Sequence, residues 1–589
     1  MLLMACAAPP PAVPTATSRA AVPSAQSQPT TVTGRPTLAA VAPSALPAPL
    51  PSLEPLAPSL AGPPSDPLFH PARLSYAPDF ADAQIQTFLD EQPSPLKEAR
   101  FQVGSRTQSF AAVLTSLSSL YSFNPQVLLA LIESQSGLLS AAQPTADQVG
   151  WALNFQGDGG GRRGLYAQLR WGSLTMRQAL RDYALAVGRP LPALKFADGS
   201  EQEVAPTTNL SRYVLARMVA PTTTPSGLAG RLDRFLAVYI RLFGDPRIAP
   251  LGWPGLAQPF LSRPMAQPMP ITSFFDHDTP FLQQNGSLLT FWGRNEADSA
   301  FAYDGHTGWD YAMAPPDQVL AAAAGRVIFA GNSDDGCATP ARAVIIDHGN
   351  GYRTLSWHLS SIEVEAGQLV QQGAVIGVAG ESGCATGPHL HFQVQYLGRD
   401  VDPYGWCGAA PDGWALNPAG QRSTWLWADM PSPCGPPPPG VIVVDDASPG
   451  FRSSGDWQIS DVGYGGGARF SVTQRGPVAG RPFLLRDLAR PAVALWHPDL
   501  PQAGRYRVLA YVPYALNGLD DARDMRFLIS HSAGQSEVVT DAQDDRNWWV
   551  DLGVYDFDPA GQPFVSTSSF ATDDRLGVWA DAVAFVPVR

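Results

Sequence analysis

The sequence predicts a multidomain chain: an all-α N-terminal domain, a mainly-β antiparallel core and a C-terminal β-sandwich. Three observations predict it. The length of 589 residues exceeds what a single hydrophobic core organises, so three or four domains are expected. The 58 Pro and 54 Gly accompany only 15% charged residues, a composition of β-rich modules with Pro-rich connections rather than of coiled coils. The apolar spacing also changes along the chain, from helical to alternating. With 45% hydrophobic residues a wholly disordered protein is excluded. The net charge of −13 excludes nucleic acid as a partner, because phosphate binding needs a basic face. No apolar run reaches the ~18 residues that read as a membrane-spanning helix.

Residues 1–68 run through Ala, Pro, Ser and Thr and read as an extended, semi-rigid tether. Within them Leu3-Met4-Ala5-Cys6 resembles a bacterial lipobox, which implies Cys6 as a lipidation site and a lipid anchor as the sole membrane contact. The departure from that pattern is the lack of a charged segment before it. Four other cysteines remain, an even number that permits two disulfides in an oxidising, extracytoplasmic compartment. Three pairings are possible. Cys337–Cys384 with Cys407–Cys434 is the favoured one, the first two lying in loops beside the histidine motif described below.

Residues 69–250 carry helical spacing. Asn124 followed by Pro125 reads as an N-cap with proline in the first turn, opening VLLALIESQSG. TMRQALRDYALAVG, LSRYVLARMVA and LAGRLDRFLAVYIRLFG continue the pattern. NPQVLLALIESQSG resembles the catalytic helix of lysozyme-like lytic transglycosylases, but Gln135 stands where that family's acid would be. An amide delivers no proton to a glycosidic oxygen. Glu133 lies two residues, or about 200° of helix rotation, away and should face elsewhere. The resemblance implies a lysozyme-like module without catalysis.

Residues 251–270 are Pro-rich and mark a boundary. From 271 to 410 short β-branched runs alternate with glycine: GRVIFAG, ARAVIIDHG, QLVQQGAVIGVAG and HLHFQVQYL. Residues 411–440, ending in PSPCGPPPPG, read as a Pro-rich linker. Residues 441–589 alternate again (YRVLAYVPY, MRFLISHS, WWVDLGVYDF), which predicts an antiparallel sandwich.

Six of nine histidines fall between 271 and 410. His306-Thr-Gly-Trp-Asp310 places an imidazole and a carboxylate four residues apart with a permissive Gly308 between them. His389-Leu-His391 opens a predicted strand, where residues i and i+2 share a face, so both imidazoles look into one cleft while Leu390 packs behind. Zn²⁺ suits such donors: a catalytic site takes three ligands from His, Asp or Glu and leaves a position open.

These residues resemble the LytM/lysostaphin-type zinc endopeptidases, which cut peptide bonds in bacterial peptidoglycan. The resemblance rests on YDGHTGWDYA, SWHLS, EAGQLVQQGAVIGVAGESG and GPHLHFQV followed by VDPYGW. It implies one Zn²⁺ per chain held by His306, Asp310 and His391, with His358 and His389 as the catalytic pair and a peptidoglycan peptide as substrate. One of the pair would take a proton from water and the other would stabilise the oxyanion; their roles stay open. The family usually reads Tyr-x-His-Leu where this chain has Ser356-Trp357-His358-Leu359, a change at the cleft wall.

Other histidines read differently. His348 ends a strand before a turn and is taken as structural, and His277, between two aspartates in FFDHD, as part of a solvated loop. The C-terminal region resembles the sandwich of golvesin-like and xanthan-lyase-like proteins, which implies an adhesive or carbohydrate-binding accessory. Trp548, Trp549 and Trp579 are candidates for stacking on sugar rings, or else core residues. Three functions follow: an exported zinc endopeptidase of the cell wall, a non-catalytic wall-binding regulator or adhesin that keeps the peptidase fold, and an extracellular protease of elastin-like chains. Retention of all five site residues favours the first.

Overall fold

The helix ends of the N-terminal region follow the sequence signals. Asn124 caps the helix Pro125–Ser136 by accepting from the Gln126 amide at 2.8 Å, and Gly137 closes it at φ 69°. Asn209 caps Leu210–Val219 in the same way, and Ser109 caps Phe110–Leu120. The long helices Leu165–Leu185 and Leu228–Phe243 complete a core that includes Leu128, Leu169, Tyr213 and Phe235, all fully buried. The region is not purely helical. Two antiparallel ladders, Arg100–Val103 with Arg106–Ser109 and Leu194–Lys195 with Glu201–Gln202, correct the all-α expectation.

The computed structural model describes residues 67–588 apart from 78–79, 104–105, 158, 187–188, 279–287, 297–304, 334–338, 418–419, 429, 476–490, 515–519 and 573–574. Cys6 and Cys337 therefore lie outside the described residues. Among the described residues no helix is long and apolar enough to cross a membrane.

The middle region is built on an antiparallel sheet of eight strands, with a smaller sheet of Ser361–Ile362, Val375–Val378 and Gln318–Leu320. The order of the larger sheet is Leu369–Val370, Gly325–Asn332, Arg342–Asp347, Tyr352–Trp357, Leu390–Tyr396, Trp309–Tyr311, Ile271–Ser273, with Arg399–Val401 also paired to Leu390–Tyr396. Period-two alternation sends Leu390, Phe392 and Val394 into the main core and leaves His391, Gln393 and Gln395 on the other face. In register beside these lie Trp357, Leu355 and Arg353. The helical region packs on this second face: Leu120 meets Ile328, Phe329 and Leu355, and the Gln395 amide donates to Ser122 Oγ at 2.7 Å.

The C-terminal region is β-rich, as expected. One sheet orders Ile442–Val444, Val583–Pro587, Gly504–Val512 and Trp548–Phe557. A second orders Phe451–Ser454, Val493–Trp496, Phe564–Ser568, Met525–His531 and Gly534–Thr540, and a smaller one orders Gln458–Ser460, Ala468–Val472 and Gly577–Ala580. Its core is continuous with that of the middle region. Trp548 lies against Trp427 with ring centroids 5.3 Å apart, and Arg263 stacks 4.0 Å over the same indole. Phe274 stacks on Tyr514 at 5.7 Å, and the Trp549 indole donates to the Pro431 carbonyl at 2.8 Å. Trp548, Trp549 and Trp579 are all buried, so these three offer no face to a sugar.

Residues 411–440 do more than connect. Leu426 and Trp427 are fully buried, Phe260 and Leu261 donate to the Leu426 carbonyl, and Cys407 is disulfide-bonded to Cys434. Cys384 is also disulfide-bonded.

Candidate metal centre

His306 and Asp310 flank the start of the strand Trp309–Tyr311, and His391 sits opposite Asp310 on Leu390–Tyr396. Adjacent antiparallel strands bring a pair in register to within side-chain reach, which is why residues so distant in sequence meet here. His391 Nδ1 lies 2.9 Å from Asp310 Oδ1 and 2.9 Å from His306 Nε2, and His306 Nε2 lies 3.2 Å from Asp310 Oδ1. These atoms form one of two groups among the described residues that could hold a metal ion. The other, Asp445, Asp446 and Asp581, lies in the sandwich with Arg469 paired to Asp446.

The donor set fits Zn²⁺. His306 Nδ1 faces the Phe274 carbonyl at 2.6 Å, and a carbonyl only accepts, so Nδ1 carries the hydrogen and neutral Nε2 presents a lone pair. The spacing of two nitrogens and one carboxylate oxygen leaves room for a small ion with tetrahedral preference. Burial works against ionising Asp310, but His306 and His391 beside it hold the carboxyl well below its ordinary range. Burial also opposes a charge on His306, and Asp310 more than offsets it, raising that imidazole. His391 is lowered, chiefly by burial.

Gly308 is permitted no side chain. A Cβ there would lie 2.6 Å from the Phe392 carbonyl and 2.8 Å from the His391 ring. Two further imidazoles border the triad. His358 follows the strand Tyr352–Trp357 in the left-handed region at φ 63°, a conformation that turns its ring back over the cleft at a cost of ~1–3 kcal/mol. Its Nδ1–H donates to the Ser382 carbonyl at 2.7 Å, and its ring centroid is 4.6 Å from that of His389. Burial, then the neighbouring His391, push His358 down to about 4. His389 Nδ1–H donates to the Gly387 carbonyl at 2.8 Å, and its Nε2 lies 3.9 Å from Asp310 Oδ1. The structure thus brings together His306, Asp310, His358, His389 and His391.

His277 departs from its expectation. It is fully buried rather than solvated, with Nδ1 2.9 Å from Asp412 and Nε2 3.0 Å from Asp402. The paired aspartates around it in FFDHD suggested solvent, but the real partners come from residues more than a hundred positions on. Asp276 is also buried, accepting from Gly305 and Leu289. The signal that was present is VDP, the aspartate after the last core strand. His348 is held structurally, facing the Ala324 carbonyl and Thr354 Oγ1. In the helical region Glu133 is buried, accepts from the Leu139 and Ser140 amides and pairs with Arg241, and Gln135 accepts from Arg231. Both carboxylate oxygens of Glu133 are therefore engaged in holding the fold.

Comparison with known proteins gives three domain matches: LasA N-terminal domain over residues 67–255, peptidase family M23 over 304–403 and golvesin C-terminal domain over 441–587. The peptidoglycan DD-endopeptidase ShyA of Vibrio cholerae is 32% identical over 149 residues, covering 22% of this chain and 34% of the relative. The DD-carboxypeptidase/endopeptidase Mpg of Neisseria meningitidis is 41% identical over 98 residues, covering 17% and 22%. This chain thus spans between 22% and 34% of the length of these curated relatives. A zinc containing peptidase from Vibrio cholerae, solved as a crystal structure, aligns with TM-score 0.19 and 29% identity over 25% of this chain and 39% of that one. The chain combines an M23 peptidase domain with a LasA N-terminal and a golvesin C-terminal domain.

Proposed function

We propose that the chain is a zinc endopeptidase of bacterial peptidoglycan, acting outside the cytoplasm on cross-bridge or stem peptides. The observation that carries this reading is the convergence of His306 Nε2, His391 Nδ1 and Asp310 Oδ1 beside His358 and His389. The M23 match and the DD-endopeptidase relatives support the substrate class. The Cys407–Cys434 disulfide supports an oxidising compartment, and lipidation of Cys6 would tether the protein at a membrane surface.

In this reading His306, Asp310 and His391 hold one Zn²⁺, which supplies Lewis-acid polarisation of a carbonyl and of water. The remaining work falls to the chain. His306 is locked to the Phe274 carbonyl, so its ligating nitrogen keeps one orientation. His358, with Nδ1–H tied to Ser382 and its basicity lowered, stays neutral and presents Nε2 to accept a proton from the attacking water. His389, fixed through Gly387, takes the other role: it stabilises charge on the carbonyl oxygen and hands the proton that His358 took on to the leaving amine.

The test is incubation of purified peptidoglycan with the wild type and with His389→Ala, followed by mass spectrometry of the released fragments. New amine termini with the wild type and none with the variant are expected. Zinc uptake by the wild type without any new termini would instead favour the wall-binding regulator.

A further inference from the structure

The two metal-facing residues of the HTGWD segment sit on a buried scaffold that the M23 match leaves largely outside it. The scaffold starts at residues 274–277. The Phe274 carbonyl accepts from His306 Nδ1–H, Asp276 Oδ2 accepts from the Gly305 amide at 2.7 Å, and the Asp276 amide donates to the His306 carbonyl at 2.8 Å. One residue on, His277 bridges Asp402 and Asp412. Asp402 has a second oxygen, and that oxygen accepts from the Trp309 indole at 2.9 Å and the Tyr404 amide at 2.8 Å. Trp309 precedes Asp310 and is fully buried among Phe274, Phe291 and Tyr404.

We infer that His277, clamped between Asp402 and Asp412, is a positioning residue for the candidate metal centre, fixing Trp309 and hence Asp310 through Asp402 while its own segment fixes His306. The inference rests on the peptidase reading above. Its physical basis is the cost of the arrangement. Two carboxylates and an imidazole withdrawn from water are expensive unless each is paired, and a purely apolar packing would be as stable. Here the polar groups supply what apolar packing lacks, a directional chain of hydrogen bonds ending one residue from a ligand. Burial opposes charging of both His277 and Asp402, yet the two flanking carboxylates raise His277 to about 9, so the bridge holds a proton on each ring nitrogen. Asp412 belongs to the 411–440 segment, so that stretch contributes to the geometry of the centre. Cys407 and Cys434 tie its two sides together, and Trp406, beside Cys407, packs on the His277 ring at 4.9 Å.

The test uses the full chain, stripped of metal and reloaded with Zn²⁺ or with Co²⁺, for the wild type, His277→Gln, Asp412→Asn and Trp309→Phe. Zinc affinity is measured by competition with a chromophoric chelator, and ligand geometry is read from the visible Co²⁺ bands. Far-UV circular dichroism checks the fold. Zinc affinity 10–100-fold weaker and a displaced Co²⁺ spectrum are expected in folded His277→Gln. Trp309→Phe, which keeps the His277 bridge and removes only the indole link, should shift the Co²⁺ bands in the same direction. Folded variants with wild-type affinity and spectrum overturn the inference. Should His277→Gln fail to fold, Trp309→Phe and Asp412→Asn decide: wild-type values in both overturn it, and shifted values in both support it. A wild type that takes up neither metal overturns the peptidase reading and this inference with it. A wild type that binds metal alongside unaffected variants overturns this inference alone.

Discussion

Gly308 shows how little space the centre allows. Any side chain there would meet the His391 ring and the Phe392 carbonyl. Gly308→Ala should therefore destabilise by about 1–3 kcal/mol, through overpacking, and weaken zinc uptake. Denaturant titration and metal analysis of the purified variant check both. The imidazoles divide by a different criterion. His391→Ala removes a donor from the convergent triad and should abolish stoichiometric zinc. His389→Ala should keep the metal and lower turnover by about 10²–10⁴-fold, the range of a lost proton-transfer group. Zinc content measured alongside peptide release separates the two outcomes.

At the scale of elements, two connections outside the main sheet carry testable weight. The Cys407–Cys434 bridge closes a loop with a sequence separation of 27. In the chain-entropy treatment such a crosslink contributes about 3.5 kcal/mol, so the paired Cys407→Ser, Cys434→Ser variant should lose stability of that order in denaturant titration. The His277 bridge predicts a pH dependence. Its folded value, about 9, lies above the ordinary 6.5, so its contribution is complete below about pH 6.5 and is lost as pH rises through 9. The stability gap between the wild type and His277→Gln should therefore narrow from neutral to alkaline pH. A gap unchanged to pH 10 would rule this out.

At the scale of the whole molecule, the sandwich and the peptidase sheet share one apolar core. Trp548 joins them, packed on Trp425, Trp427 and Tyr404 beneath Arg263. Trp548→Ala should cost about 3–5 kcal/mol, and limited proteolysis should then cut both regions together rather than release an intact peptidase. The helical region likewise rests on the sheet face that carries His391, through Leu120 and Ser122.

Much of this molecule was legible without coordinates, and the particulars show why. Asn124-Pro125 and Gly137 announce a helix because capping is a local matter of backbone donors and allowed φ. His389-Leu-His391 announces a shared face because strand alternation is equally local. His306 and Asp310 could be paired with His391 because a metal needs several donors and few residue types supply them. Other features depended on contacts between distant parts of the chain. His277 looked solvated between its neighbouring aspartates, yet its partners are Asp402 and Asp412. The tryptophans of the sandwich had the composition of a sugar platform and the location of a core. The Pro-rich stretch 411–440 reads as a linker, yet it supplies buried Leu426, Trp427 and one arm of the clamp. The sequence by itself determined most of the elements and singled out the candidate donor set, because periodicity, capping and ligand chemistry act over a few residues. Only the tertiary structure decided burial and partnership, because whether a polar group faces water or a carboxylate depends on which strand folds beside it.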